Sequence, residues 1–130
     1  RKMKTPEIGV LGVSLTNNNS LFKGLDKNMK VLQWHSYEVC DLPSSTNLLA
    51  SSPECKIQAF YSNNAFGLQF HVEQTNDTVP QWACVPEYKS ALENTLGANA
   101  LEKFKEDVKK NLNLFNNSAR TIYNNFKKII

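Results

Sequence analysis

The sequence predicts an α/β chain in which strands come first and helices last. Two observations carry that order. Between residues 7 and 70, short runs of β-branched and aromatic residues alternate with turn-forming clusters. After Glu73 the period lengthens, and over residues 101–129 the apolar positions recur every third or fourth residue. A third observation bounds the answer: 130 residues, 41% hydrophobic and 21% charged, describe one globular domain's worth of chain rather than a disordered one.

The first strand is expected over residues 8–15, IGVLGVSL, where alternation and β-branching coincide. The polar cluster TNNNS at 16–20 ends it. After LFKGLD, the run MKVLQW at 29–34 reads as a second strand. NLLAS at 47–51 and IQAFY at 57–61 read as two more, the latter low in charge and so expected to be covered on both faces. The Ser62-Asn63-Asn64 turn leads into a fifth strand over 65–70. Pro86 marks a helix start and Gly97 a C-cap. Beyond it Leu101, Phe104, Val108, Leu112, Phe115, Ala119, Ile122, Phe126 and Ile129 form one stripe. That stripe is expected to pack on the chain's own sheet rather than on a membrane surface. Asn116-Asn117-Ser118 is a candidate break within it. An order of strands then helices is unusual for a self-sufficient α/β domain, whose helices normally alternate with strands to cover both sheet faces.

Several function classes recede on composition. No apolar run approaches roughly 18 residues, so no membrane span is expected. The start RKMKTPEIG lacks the apolar centre of a signal peptide, and it also lacks an initiator methionine, which points to a processed chain, an excised one, or a piece of something longer. The net charge is +3, and the C-terminal lysines are interleaved with Glu102, Glu106 and Asp107. That is the pattern of a solvated helix face, so no nucleic-acid partner is expected. Cys40, Cys55 and Cys84 are an odd, widely spaced set with no CxxC, which predicts reduced thiols in a cytoplasmic protein and no metal site. N-x-S/T triplets at Asn18, Asn76 and Asn116 fit chance in an Asn-rich chain.

The chemistry gathers in FGLQFHVE, residues 66–73. Residues two apart on an extended chain point to one side, so Glu73 can accept a hydrogen bond from one imidazole nitrogen of His71. The other nitrogen is then free to act as base or acid. An ordinary surface ion pair would use the same two residues. The neighbouring blocks decide between them: LFKGL at 21–25, QWHSYEV at 33–39, DLP at 41–43, LASS at 49–52, QAF at 58–60 and GLQFHVE at 67–73 occur in this order. Together with Pro86-Glu87-Tyr88 and the last helix, they resemble the C-terminal half of class I (triad) glutamine amidotransferases. The likeness is to the stand-alone subgroup related to the amidotransferase domain of GMP synthase.

The resemblance implies the C-terminal part of a three-layer, flavodoxin-like fold. Its sheet would be mixed, mostly parallel with antiparallel strands at the late edge, followed by C-terminal helices. Residues 1–84 would be the half-domain and 85–130 a helical extension packed on it. The family signature Q-F-H-P-E reads Gln69-Phe70-His71-Val72-Glu73 here, so His71 matches the triad histidine and Glu73 the triad acid. Val72 in place of proline removes a φ restraint between them. The W-H-S-Y stretch matches the segment that contacts the α-amino and carboxylate ends of bound glutamine, which makes Ser36 and Tyr37 the substrate-binding candidates. Trp34 and His35 can equally be read as core packing with a satisfied imidazole, and for His35 that reading stands slightly ahead. The family's nucleophile is a cysteine on a G-x-C-x-G elbow, and none of the three cysteines here has a flanking glycine. The elbow and its oxyanion-hole amides are therefore expected upstream of Arg1. The activity so implied is hydrolysis of the glutamine side-chain amide, with no cofactor and no metal. It implies a chain inactive alone, completed by the missing N-terminal half or a partner chain. Two alternatives stay open. One is a non-catalytic, amidotransferase-like interaction module with an unpaired sheet edge. The other is a γ-glutamyl peptidase or hydrolase using the same triad.

Overall fold

Strand β1 spans Lys2–Leu15, β2 Asn28–Tyr37, β3 Asn47–Ser51, β4 Ala59–Ser62 and β5 Ala65–Leu68, and helices α1 (Thr78–Trp82), α2 (Pro86–Leu96) and α3 (Ala100–Ile129) follow. This computed structural model describes residues 1–16 and 19–130. Part of the expected TNNNS break and the Asn18 triplet lie outside the described residues.

The strands form one sheet in the order β2-β1-β3-β4-β5, and each of these pairings is antiparallel. The expectation of a mixed, mostly parallel sheet is corrected for these residues. Parallel neighbours need a crossover of about a dozen residues or more, usually a helix. Here the helices all follow the last strand, and β4 turns into β5 through Asn63 and Asn64, with Asn63 in the left-handed region at φ 54°. Strand β1 begins well before residue 8 because a register shift absorbs Pro6: Lys2 faces Tyr37, while Glu7 faces His35. Proline has no N–H for the ladder, so the irregularity falls where a ladder bond was unavailable.

The sheet curls until its two edges meet. The Leu32 N–H donates to the His71 carbonyl and the His71 N–H donates to the Leu32 carbonyl, both at 2.9 Å. Leu32 already faces Val10 of β1. Both of its backbone groups go to His71, so His71 occupies the opposite edge of β2. The chain leaving β5 thus wraps from one margin of the sheet to the other, and His71 is the closing bridge.

Helices α2 and α3 pack on β1 and β2. Ile8 and Trp34 are cross-strand partners on the helical side, where the Trp34 ring lies 5.1 Å from that of Phe104 and its indole N–H donates to the Tyr88 carbonyl at 3.1 Å. Phe104, Val108 and Phe115 of the predicted stripe are buried, each contributing roughly 1.5–3 kcal/mol. The expected break at Asn116-Asn117-Ser118 is absent, and α3 runs through it. Phe115 and Ser118 are buried at that point and keep the helix on the sheet. No described helix is long and apolar enough to cross a membrane.

Strand β4 is buried only at Ala59, and β5 is the far edge of the sheet with no buried residue. Of the run 57–61, expected to be covered on both faces, the consecutive Gln58 and Ala59 are fully buried and the rest are half-buried, so the cover is full only at those two. At this edge the Phe60 ring lies across Gly67, and a Cβ on residue 67 would collide with its Cζ and Cε1. Gly67→Ala therefore forces the half-buried ring off its rotamer and is expected to cost about 0.5–1.5 kcal/mol. The effect should appear as a lower urea midpoint at unchanged slope, and it should vanish in a Phe60→Ala background.

Candidate functional site

Phe70 and Val72 are buried. Alternation along the extended chain then turns His71 and Glu73 away from the core together. His71 Nδ1 lies 2.6 Å from Glu73 Oε1. A carboxylate only accepts, so Nδ1–H is the donor and the neutral ring keeps its lone pair on Nε2. The second carboxylate oxygen, Oε2, accepts the Val72 N–H at 3.0 Å, a bond that proline at this position could not donate. Burial alone would push the Glu73 carboxyl up, but the hydrogen bonds from His71 and Val72 outweigh it and hold the group below the usual carboxylate range. The His71 and Glu73 side chains remain 34% and 64% exposed. A pair this open adds at most about 1 kcal/mol to stability, so its geometry has little structural value to explain it.

Helix α1 supplies a wall to this pair. The Trp82 ring stands edge-on to the His71 imidazole, with centroids 4.9 Å apart and planes at 76°. The expected elements did not include α1. It has five residues, too few for a helical period to register, and its third residue is Pro80.

Ser36 and Tyr37 end β2, four and five residues beyond Leu32. At the usual strand rise that is about 13–17 Å along the strand from the bridge to His71. Ser36 lines a groove of about 780 Å³ between the start of β1 and α2, with Lys2, Lys4, Pro86 and Ser90, while His71 and Glu73 do not line it. The structure therefore joins His71 to Glu73 directly and leaves Ser36 and Tyr37 farther along the same strand. The link between the two is Gln69, whose side-chain amide donates to the Tyr37 carbonyl at 3.4 Å.

A buried polar cluster lies on the other face of β2. His35 Nδ1 is 2.8 Å from the Tyr37 carbonyl and Nε2 is 3.1 Å from Glu7 Oε2. Both partners accept, so this setting favours the doubly protonated, cationic imidazole. Burial would lower its pKa, but the hydrogen bonds to Glu7 and to the Tyr37 carbonyl raise it overall. Glu7 also accepts from the Ser52 hydroxyl at 2.8 Å and the Gln58 amide at 2.7 Å. Burial would raise the Glu7 carboxyl, and those bonds together with His35 hold it low. The reading of His35 as a satisfied imidazole agrees with this geometry. Glu7 was missed, because its partners come from distant segments and leave no local pattern. Among the cysteines, Cys40 and Cys84 are exposed, and Cys55 is buried with its thiol 3.5 Å from the Ile57 carbonyl. Burial pushes the Cys55 thiol up, away from the thiolate a nucleophile needs.

With this geometry in place, known proteins can be compared. A sequence model of the family described as glutamine amidotransferase class-I matches residues 1–81. A glutamine-hydrolyzing GMP synthase subunit of Sulfolobus acidocaldarius is 37% identical over 75 residues, covering 56% of this chain and 40% of that protein. The protein of the same name from Saccharolobus solfataricus is 35% identical over 75 residues, with the same coverage. Among solved structures, a glutamine amidotransferase from Thermotoga maritima superposes with a TM-score of 0.82 at 25% identity, covering 96% of this chain and 53% of that one. One from Methylobacillus flagellatus reaches 0.79 at 16% identity, which speaks to the fold alone. The chain spans about half the length of these solved neighbours and matches two-fifths of the curated relatives.

Proposed function

The chain belongs to the class-I glutamine amidotransferase family, and from that premise we propose that it supplies the histidine and the acid of a Cys-His-Glu triad for hydrolysing the glutamine side-chain amide. The observation that carries the reading is the His71–Glu73 hydrogen bond of 2.6 Å, set at the bridge that closes the sheet. Glu73 fixes Nδ1–H, so Nε2 takes the proton of a cysteine thiol and later returns it to the departing ammonia. The thiolate attacks the amide carbon, a glutamyl thioester forms as ammonia leaves, and water releases glutamate. By the family resemblance, Ser36 and Tyr37 are the residues that contact the α-amino and carboxylate ends of the bound glutamine.

In this reading the nucleophile and its oxyanion-hole amides come from an N-terminal half outside these 130 residues. Residues 1–84 complete the domain with it, and residues 85–130 are a helical extension. The relatives are named as single subunits of GMP synthase, which supports a further partner that receives the ammonia. The chain alone is inactive. Mixed with a separately produced family N-terminal half carrying the G-x-C-x-G elbow, it is expected to release ammonia from glutamine, while neither piece does so alone. A pair that co-sediments as a complex yet releases no ammonia overturns the reading.

A further inference from the structure

We propose that Trp82 is a positioning residue for His71, holding the imidazole so that Nε2 faces away from Glu73 in one fixed direction. The hydrogen bond to Glu73 cannot do this alone. Glu73 is tied to the backbone through the adjacent Val72 N–H and is 64% exposed, so nothing in that bond limits the imidazole from the side. The Trp82 ring, 4.9 Å from the imidazole and nearly perpendicular to it, supplies that limit. The wall is itself anchored. Trp82 lies 6.1 Å from the Trp34 ring and 6.3 Å from that of Tyr88. Trp34 is 6% exposed, is pinned by its indole N–H to the Tyr88 carbonyl and packs on Phe104. A rigid path therefore runs from α3 through β2 and α1 to the ring of the candidate base. Bases act within hydrogen-bond reach of a defined proton, so ring direction matters as much as basicity.

The inference rests on the reading of His71 as the triad base, and the following measurement needs no turnover. The chain has two histidines, and His35, on the other face of β2, serves as the internal reference. Histidine-labelled chain is compared by NMR as wild type, Trp82→Leu and Trp82→Phe, following the tautomer and the side-chain rotamer of each imidazole. Leucine keeps apolar bulk and removes the ring edge. In Trp82→Leu the ratio of held to released His71 rotamer is expected to fall roughly 2- to 12-fold, the effect of losing one aromatic contact. His35 should stay unchanged, and Trp82→Phe should restore the wild-type His71 signature. An unchanged His71 in Trp82→Leu overturns the proposal. So does a joint collapse of His35 and His71 signals, which would make Trp82 a support of the fold at large. A silent ammonia assay leaves this ring geometry measurable, and a negative NMR result leaves the ammonia assay as it stands.

Discussion

Glu7→Ala is expected to destabilise the chain by about 3–5 kcal/mol, the cost of removing one partner from a buried ion pair. Glu7 is 5% exposed and accepts three side-chain hydrogen bonds, from His35, Ser52 and Gln58. Its loss takes the counter-charge from the His35 ring, and leaves the Ser52 hydroxyl with only the Cys55 carbonyl and the Gln58 amide with only Ser52 Oγ. Domains of this size are held by roughly 5–15 kcal/mol in all, so the variant should sit near its unfolding limit at ambient temperature. Urea denaturation of the two single variants and of Glu7→Ala/His35→Ala gives the check. Glu7→Ala should cost less in the His35→Ala background, since the stranded charge is then gone. Additive costs would mean the pair is not coupled.

The same pair fixes a pH window. His35 titrates above its ordinary 6.5 in the folded chain, so its contribution is full below that value and is lost as pH rises through the raised one. Glu7 titrates below its ordinary 4.5, so its contribution is full above 4.5 and is lost as pH falls through the lowered one. The stability gap between wild type and Glu7→Ala should therefore be widest between those two ordinary values and narrow on both sides. Glu73 is shifted in the same direction as Glu7, but its exposure screens the effect and it adds little to the acid limb.

What the sequence revealed and what it hid divide along physical lines. Strand β3 and the start and cap of α2 were legible, because β-forming runs, Pro86 and Gly97 are local signals. The α3 stripe was legible because a spacing of three and four repeats over eight turns' worth of chain. The contact of His71 with Glu73 was legible for the same reason, since i and i+2 on an extended chain share a side wherever that chain lies. Strand direction was not. The resemblance suggested parallel neighbours, and only the absence of helices between strands argued otherwise. The cluster of Glu7, His35, Ser52 and Gln58 was hidden because four separate segments build it. Trp82 was hidden because α1 is too short to show a period. Both blind spots arise where distant or very short segments meet, so the His71–Glu73 contact was visible and the tertiary packing around it was not.

In the reconstituted assembly, His71→Ala is expected to lower ammonia release about 10²–10⁴-fold, the usual contribution of a positioned acid-base group. The ranking at residue 73 is the sharper test of its role. Glu73→Gln preserves size and would ordinarily be the mild change. Here the Val72 N–H needs an acceptor and sits 3.0 Å from one carboxylate oxygen. A glutamine would turn its carbonyl oxygen to that N–H, leaving its NH₂ facing His71 Nδ1. An NH₂ can only donate, so Nδ1 would become the acceptor and the proton would move to Nε2, the position that must be free to take the thiol proton. Glu73→Ala removes the orienting bond but lets the ring sample both tautomers. Glu73→Gln should therefore be slower than Glu73→Ala, and its imidazole should show the Nε2–H tautomer by NMR. Should the glutamine variant be the faster of the two, Glu73 acts through its charge rather than through the proton it places on Nδ1.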